Sequence, residues 1–374
     1  MTVETTTQQN IHRYCIWIIP LIIVSKVVRW TIMFPQLVAM SIGWGYVSKI
    51  QSLPFKGFSA TDFFVKSSAA SYAGDNTISF FQLLNIGFNS YQSWEIYITI
   101  LYNILIFICV KNFYKRNPYA GIKENLFIYL NVAILNIFCL NLAKEPYQMC
   151  FFFLMALAIS KPETYRAKSI ALLITLIVTV LYSRKYFGLV LMYFFILNYV
   201  VEKLFSERQM EDVSSVSKRK VYGKLFFLFL LFGVLHYFFL SYLMEDSKDT
   251  YNEMMRVNSR DWTYATSEIT PFFPNSNPFL LAVDYFIKIF RLMIPIELLV
   301  KMKVTYLFMI VNQWLLLTFL VRTFKNRNKE QNPTRTIAMY LYIAFLLCSA
   351  AFEPDFGSWI RHQGVAFPVI LLLI

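Results

Sequence analysis

Residues 94–116 read WEIYITILYNILIFICVKNFYKR: an apolar run closed by Lys111, Lys115 and Arg116. Such a run is long enough to approach a membrane crossing, for which a helix needs about 20 residues to traverse ~30 Å of hydrocarbon. Its basic end marks a cytoplasmic border, because cytoplasmic loops are enriched in Lys and Arg. The same pattern recurs outward in both directions. Expected spans are 14–33, 94–110, 125–142, 146–160, 169–183, 186–201, 225–243, 304–321, 337–352 and 361–374. Several are shorter than a full crossing, so their ends are expected to extend into the polar flanks. The fold class is an all-α polytopic membrane protein with about ten transmembrane helices, within a range of about ten to twelve.

Composition agrees. Hydrophobic residues make up 57% of the chain and charged residues only 15%, whereas soluble domains run near a quarter charged. Mean hydropathy is +0.50. The 374 residues leave no polar stretch long enough for a soluble domain. A net charge of +13 raises nucleic acid as a partner, but the basic residues sit in short loops between spans, which membrane orientation explains. No nucleic-acid role is expected. Cys15, Cys109, Cys139, Cys150 and Cys348 all lie in apolar runs without metal-ligand or redox spacing, and they read as small hydrophobes. After the first apolar run come Lys26, Val27, Val28, Arg29 and Trp30 rather than small cleavage-site residues, so the first span is expected to be uncleaved.

Loops 111–124, 161–168, 202–224 and 322–336 carry the basic clusters, and with these spans all four fall on one side, read as cytoplasm. Both termini are then cytoplasmic. Residues 34–48 are apolar enough for a further span, and 279–303 also invites one. Asp284, Lys288 and Arg291, however, recur at i, i+4 and i+7, on one helical face. Residues 279–300 are therefore expected as an amphipathic helix lying on the outer surface. Two longer outer segments result, 49–93 and 244–303.

Basic residues on the outer side are not explained by the orientation rule. Arg184 and Lys185 occupy the tight turn 182–187, Lys288 and Arg291 the amphipathic helix, and Arg361 and His362 the turn before the last span, beside Glu353 and Asp355. Lys144 and Glu145 interrupt the third and fourth spans. The plain reading makes Lys144 and Glu145 a solvated turn, Lys288 a snorkelling lysine, and His236, mid-span, a packing residue. The functional reading starts from the guanidinium fork, which matches a phosphate or pyrophosphate. Arg184, Lys185, Arg291 and Arg361 are thus candidate pyrophosphate contacts, with Lys144 and Lys288 beside them. Charge developing on a pyrophosphate leaving group would be stabilised there, and His362, Asp355 or Glu353 are candidate bases for an incoming hydroxyl. No HExxH, P-loop or GxSxG motif occurs, and neither a metal nor a cofactor is expected.

Four stretches carry a family resemblance: 352–374 (FEPDFGSWIRHQGVAFPVILLLI), 286–298 (FIKIFRLMIPIEL), 141–154 (NLAKEPYQMCFFFL) and 55–74 (FKGFSATDFFVKSSAASYAG). Together with the topology they resemble the Wzy-type polysaccharide polymerases of bacterial surface-sugar pathways and their EpsG-like relatives. The resemblance implies a metal-independent membrane glycosyltransferase at the outer face of the bacterial cytoplasmic membrane. It would join repeat units of O-antigen, capsule or exopolysaccharide carried on undecaprenyl pyrophosphate. It also implies the lipid bilayer, a flippase and a chain-length regulator as partners. The nearest alternative is an O-antigen ligase or a GT-C-type glycosyltransferase, for which Asp62 in the first outer loop is the candidate base. A transporter or flippase for lipid-linked sugars is a third reading, disfavoured because such proteins favour internal repeats and midplane charges.

Overall fold

The computed structural model describes residues 3–32, 45–55, 57–59, 75–183, 186–201, 267, 269–270, 272–273, 278–301, 303–330, 332–353 and 355–374. The candidates Asp62, Arg184, Lys185 and His236, the expected span 225–243, and most of 34–48 lie outside them. Among the described residues all regular structure is helical.

Fourteen helices follow one another among these residues: α1 (Val3–Thr31), α2 (Tyr46–Ser52), α3 (Asp75–Leu84), α4 (Tyr91–Arg116), α5 (Ile122–Ile134), α6 (Lys144–Ser160), α7 (Tyr165–Tyr182), α8 (Phe187–Ile196), α9 (Pro278–Met293), α10 (Ile296–Lys301), α11 (Val304–Glu330), α12 (Pro333–Phe352), α13 (Phe356–Val365) and α14 (Phe367–Leu373). Helices α5 and α8 each continue as one π-helical turn, Leu135–Cys139 and Leu197–Val201. Six stretches are long and apolar enough to cross a membrane: Val3–Thr31, Tyr91–Arg116, Ile122–Cys139, Tyr165–Tyr182, Tyr306–Asn326 and Pro333–Ala351. The chain is a polytopic membrane protein. Expected span 94–110 lies inside the longer helix Tyr91–Arg116 and 337–352 inside Pro333–Phe352, whereas 125–142 leaves its helix after Cys139.

One end of the bundle gathers the basic turns. Arg335 Nη2 donates to Asn117 Oδ1 at 2.7 Å and to Ile374 O at 3.2 Å, and Arg116 Nη2 donates to Leu371 O at 3.3 Å. Asn10 Nδ2 reaches Pro118 O at 2.8 Å, so α1 also begins at this end. The opposite end is built from the start of α4, the break between α5 and α6, the start of α13, and α9.

Two expectations are corrected here. Residues 279–300 are not one amphipathic helix. The chain breaks at Ile294–Pro295, because proline has no N–H to continue the ladder and disfavours helix in the residue before it. Nor does α9 simply float on lipid, since Tyr285 Oη donates to Leu347 O at 2.6 Å and Trp359 Nε1 donates to Leu292 O at 3.2 Å. The last expected span, 361–374, is likewise two helices meeting at Ala366. Pro368 cannot donate to Gly364, and the Ala366 N–H turns to Gln363 O at 3.0 Å instead. Helix α14 is buried along its whole length, packed on α12, α6 and α4. It is core, and lipid does not reach it.

Candidate functional site

Helix α5 ends in its π turn, the chain runs irregularly through Leu140–Ala143, and α6 starts at Lys144. This break is not a solvated turn. Every residue from Cys139 to Glu145 is buried, Glu145 to 1% exposure, which overturns the plain reading of Lys144 and Glu145. Distant segments cover it. Phe80 of α3 packs on Tyr147 with ring centroids 5.2 Å apart, and Phe58 stacks on the same ring at 6.5 Å. Helix α13 lies against the π turn, where Cys139 Sγ donates to Arg361 O at 3.4 Å. Gly364 makes that approach feasible: a Cβ there would meet Cys139 Sγ at 3.0 Å.

The covering brings five sequence-named groups together. Arg361 Nη1 lies 4.0 Å from Glu145 Oε1, and the ionisable side chains that act on Glu145 are Lys144, Arg361 and His362. His362 Nδ1 is hydrogen-bonded to Glu353 Oε1. Buried polar atoms around this cluster remain without a hydrogen-bond partner among the described residues: Glu145 Oε1, Glu353 Oε2, His362 Nε2 and Gln148 Nε2. Gln148 follows Glu145 by three positions on α6, hence on the same face. Buried polar atoms are nearly always satisfied, so orphans gathered around one cluster mark a place built to receive polar groups.

The two ring nitrogens of His362 therefore have distinct roles. With Glu353 accepting, Nδ1 carries the donated hydrogen and Nε2 presents a lone pair, the arrangement of a general base oriented by a carboxylate. Arg361 stands one residue away, its charge facing Glu145 but most of its hydrogen-bond donors unused. Nη2 donates to Ser358 Oγ at 3.2 Å, and the remaining donors of the fork have no hydrogen-bond acceptor among the described residues. No family model matches this chain. No curated protein or solved structure matches it either.

The other sequence candidates have different tasks. Asp355 is the N-cap of α13: its Oδ1 accepts from Ser358 N at 2.9 Å and its Oδ2 from Ser358 Oγ at 2.9 Å. That is the expected use of Asp before a helix, and it commits both carboxylate oxygens of Asp355 to the start of α13. Arg291 is engaged as well. Its Nε pairs with Glu297, its Nη1 donates to Thr270 O at 2.6 Å, and its guanidinium lies 5.0 Å over the Phe272 ring. Asp284 accepts from the Phe272 and Phe273 N–H groups at 2.9 and 2.8 Å. These α9 charges hold Thr270, Phe272 and Phe273 in place. Arg184 and Lys185 lie outside the described residues; nearby, Tyr147 Oη and Asn76 Nδ2 both donate to Tyr182 O, at 2.6 and 2.9 Å.

Lys288 is half-buried and faces Glu353, Arg291, Asp355 and Asp284. Burial lowers its ammonium from 10.5 to about 8, against the raising influence of Glu353. A lysine lowered in the fold binds fewer protons folded than unfolded between the two values. Stability therefore rises with pH from about 8 to 10.5, and below about 8 the full penalty is present. Lys288→Met is expected to flatten that window and to raise the unfolding temperature at pH 7. Thermal unfolding in detergent at pH 7 and pH 10 checks this; an unchanged pH slope in the variant would refute it.

Sequence reasoning missed Lys26, Arg29 and Glu95. Arg29 Nε and Lys26 Nζ both donate to Glu95 Oε1, at 2.7 and 2.9 Å, inside the bundle. The signal was present: two cations three residues apart share one face of a span, and an acid sits near the start of another.

Proposed function

We propose that this chain is a membrane glycosyltransferase that joins polyprenyl-pyrophosphate-linked oligosaccharide units into a longer polysaccharide, a polymerase of surface sugar. The reading rests on one observation: a carboxylate-oriented histidine stands beside an arginine with unused donors, at the end of the bundle away from the basic turns. In this mechanism His362 Nε2 takes the proton from a sugar hydroxyl of the incoming unit. The hydroxyl oxygen bonds to the anomeric carbon of the growing chain, and the bond from that carbon to the pyrophosphate oxygen breaks. Arg361 neutralises the charge that develops on the departing diphosphate, an interaction stronger in the transition state than before it. Glu353 holds the imidazole and stabilises the imidazolium. The basic turns would face the cytoplasm, so the reaction would run at the outer leaflet of the bacterial cytoplasmic membrane.

Deletion of the gene, followed by gel separation of surface polysaccharide, tests the reading. The expected result is collapse of long chains to single repeat units. Complete loss of surface sugar would make the protein a flippase, and intact but unattached chains would make it a ligase.

A further inference from the structure

We propose that Lys26, Arg29 and Glu95 form a positioning network that fixes the break between α5 and α6, and through it the placement of Glu145 against Arg361. The starting point is a backbone problem. The last carbonyls of a helix have no partner within it, and at this buried break other groups of the protein must take that place. Two such carbonyls are met by side chains of α1. Arg29 Nη1 donates to Ile137 O at 2.7 Å, and Lys26 Nζ donates to Leu140 O at 2.7 Å. Cations suit this end of a helix, where the macrodipole is negative.

The acid that accompanies them holds both in place. Glu95 Oε1 accepts from Lys26, Arg29 and Trp30 Nε1, the last at 3.3 Å, while Arg29 Nη2 donates to Tyr91 Oη at 3.0 Å. Arg29 and Glu95 are each 1% exposed. A simple tether of α1 to α4 would need one cation and one carboxylate. Here two cations share one carboxylate oxygen, and each spends a further hydrogen bond on the broken helix.

What makes the network more than a tether is the opposite side of the same turn. Cys139, between Ile137 and Leu140, contacts the Arg361 carbonyl at 3.4 Å, and Gly364 lets α13 approach it. The break is thus gripped by α1 on one side and seats α13 on the other. Glu145 follows in the first turn of α6. A shift of the turn moves Glu145 and the Arg361 backbone relative to one another.

The consequence for catalysis rests on the glycosyltransferase reading above; the consequence for the turn does not. The test uses the full-length protein in lipid nanodiscs, carrying Cys15→Ala, Cys109→Ala and Cys150→Ala, with Cys139 and Cys348 left in place. Both remaining thiols are fully buried. Labelling by a membrane-permeant maleimide reports the turn at Cys139 and general unfolding at Cys348. Arg29→Met and Glu95→Gln are expected to raise the Cys139 labelling rate roughly tenfold or more, as a local opening does, with Cys348 still protected. In the transfer assay kcat is expected to fall roughly a hundredfold, the size associated with a misplacement of about 1 Å, at nearly constant KM. Arg29→Lys, which keeps the charge but not the fork, is expected to recover some of both.

Protection of Cys139 in both variants would overturn the proposal, as would parallel labelling of Cys139 and Cys348 in both Glu95→Gln and the milder Lys26→Met. Absence of transfer activity in the wild type would remove the functional reading, and the cysteine rates would still decide this one.

Discussion

His362→Ala is expected to slow transfer between lipid-linked sugar units by 10²–10⁴-fold, the range for loss of a positioned general base. The amount of protein in the membrane should be unchanged. The size follows from His362 Nε2, which has no protein partner among the described residues, while Nδ1 is committed to Glu353. Glu353→Gln should cost less than His362→Ala, because the amide still reaches the ring but no longer stabilises the imidazolium. Asp355→Ala should cost far less rate again. Its carboxylate caps α13, and losing a cap is worth about 1 kcal/mol of stability. Transfer rates on purified lipid-linked substrate give the ranking. Equal losses at Asp355 and His362, or a wild-type rate in His362→Ala, would remove the histidine from the mechanism.

Arg361→Ala is expected to act twice, once on rate and once on stability. Losing one charge-assisted hydrogen bond to the leaving group is worth ~1.5–3 kcal/mol, or roughly ten- to a hundredfold in rate. The same substitution leaves Glu145 buried beside no guanidinium. Breaking a buried pair costs ~3–5 kcal/mol, and the 4.0 Å separation and 21% exposure of Arg361 place this case near the low end. Two readouts separate the effects. The double variant Arg361→Ala, Glu145→Ala should regain much of the lost unfolding temperature, since no carboxylate is left without its guanidinium, while transfer stays slow. Arg361→Lys should fold normally and remain slow, because an ammonium lacks the planar fork that matches a phosphate. Recovery of rate in the double variant would mean that Arg361 serves the fold alone.

Much of the architecture was legible because lipid imposes a simple rule on sequence. A run such as 94–110 admits few readings once its length and basic end are seen, and Lys115 and Arg116 do close α4. The interruption at 141–146 was also visible, since Lys144, Glu145 and Pro146 separate one apolar run from the next. Its burial was not. The residues that cover it, Phe58, Phe80 and the α13 face, come from remote segments, and no local pattern encodes such an approach. The final run 361–374 misled for a related reason. An apolar segment suits lipid and protein interior equally, so VILLL at 369–373 does not say which surrounds it.

The candidate site was only partly named. Glu353, Arg361 and His362 stood together in one turn, but their division of labour required geometry. One local signal was available and went unused: Asp355 with Ser358 three positions on is a helix-start pattern, which assigns Asp355 to a cap. The engagement of Arg291 by Glu297 had no such signal, because it depends on the bend at Pro295.

The contact between Cys139 and the Arg361 carbonyl joins positions 222 residues apart in the chain. A ribosome delivers α1, α5 and α6 to the bilayer long before it delivers α13. Until then Glu145 and the loose carbonyls of the break face a half-built bundle, with the cations of α1 as their early company. Insertion therefore cannot finish span by span. The break between α5 and α6 is closed only once residues 353–365 have joined it, so its burial waits on a segment made long after the helices it separates.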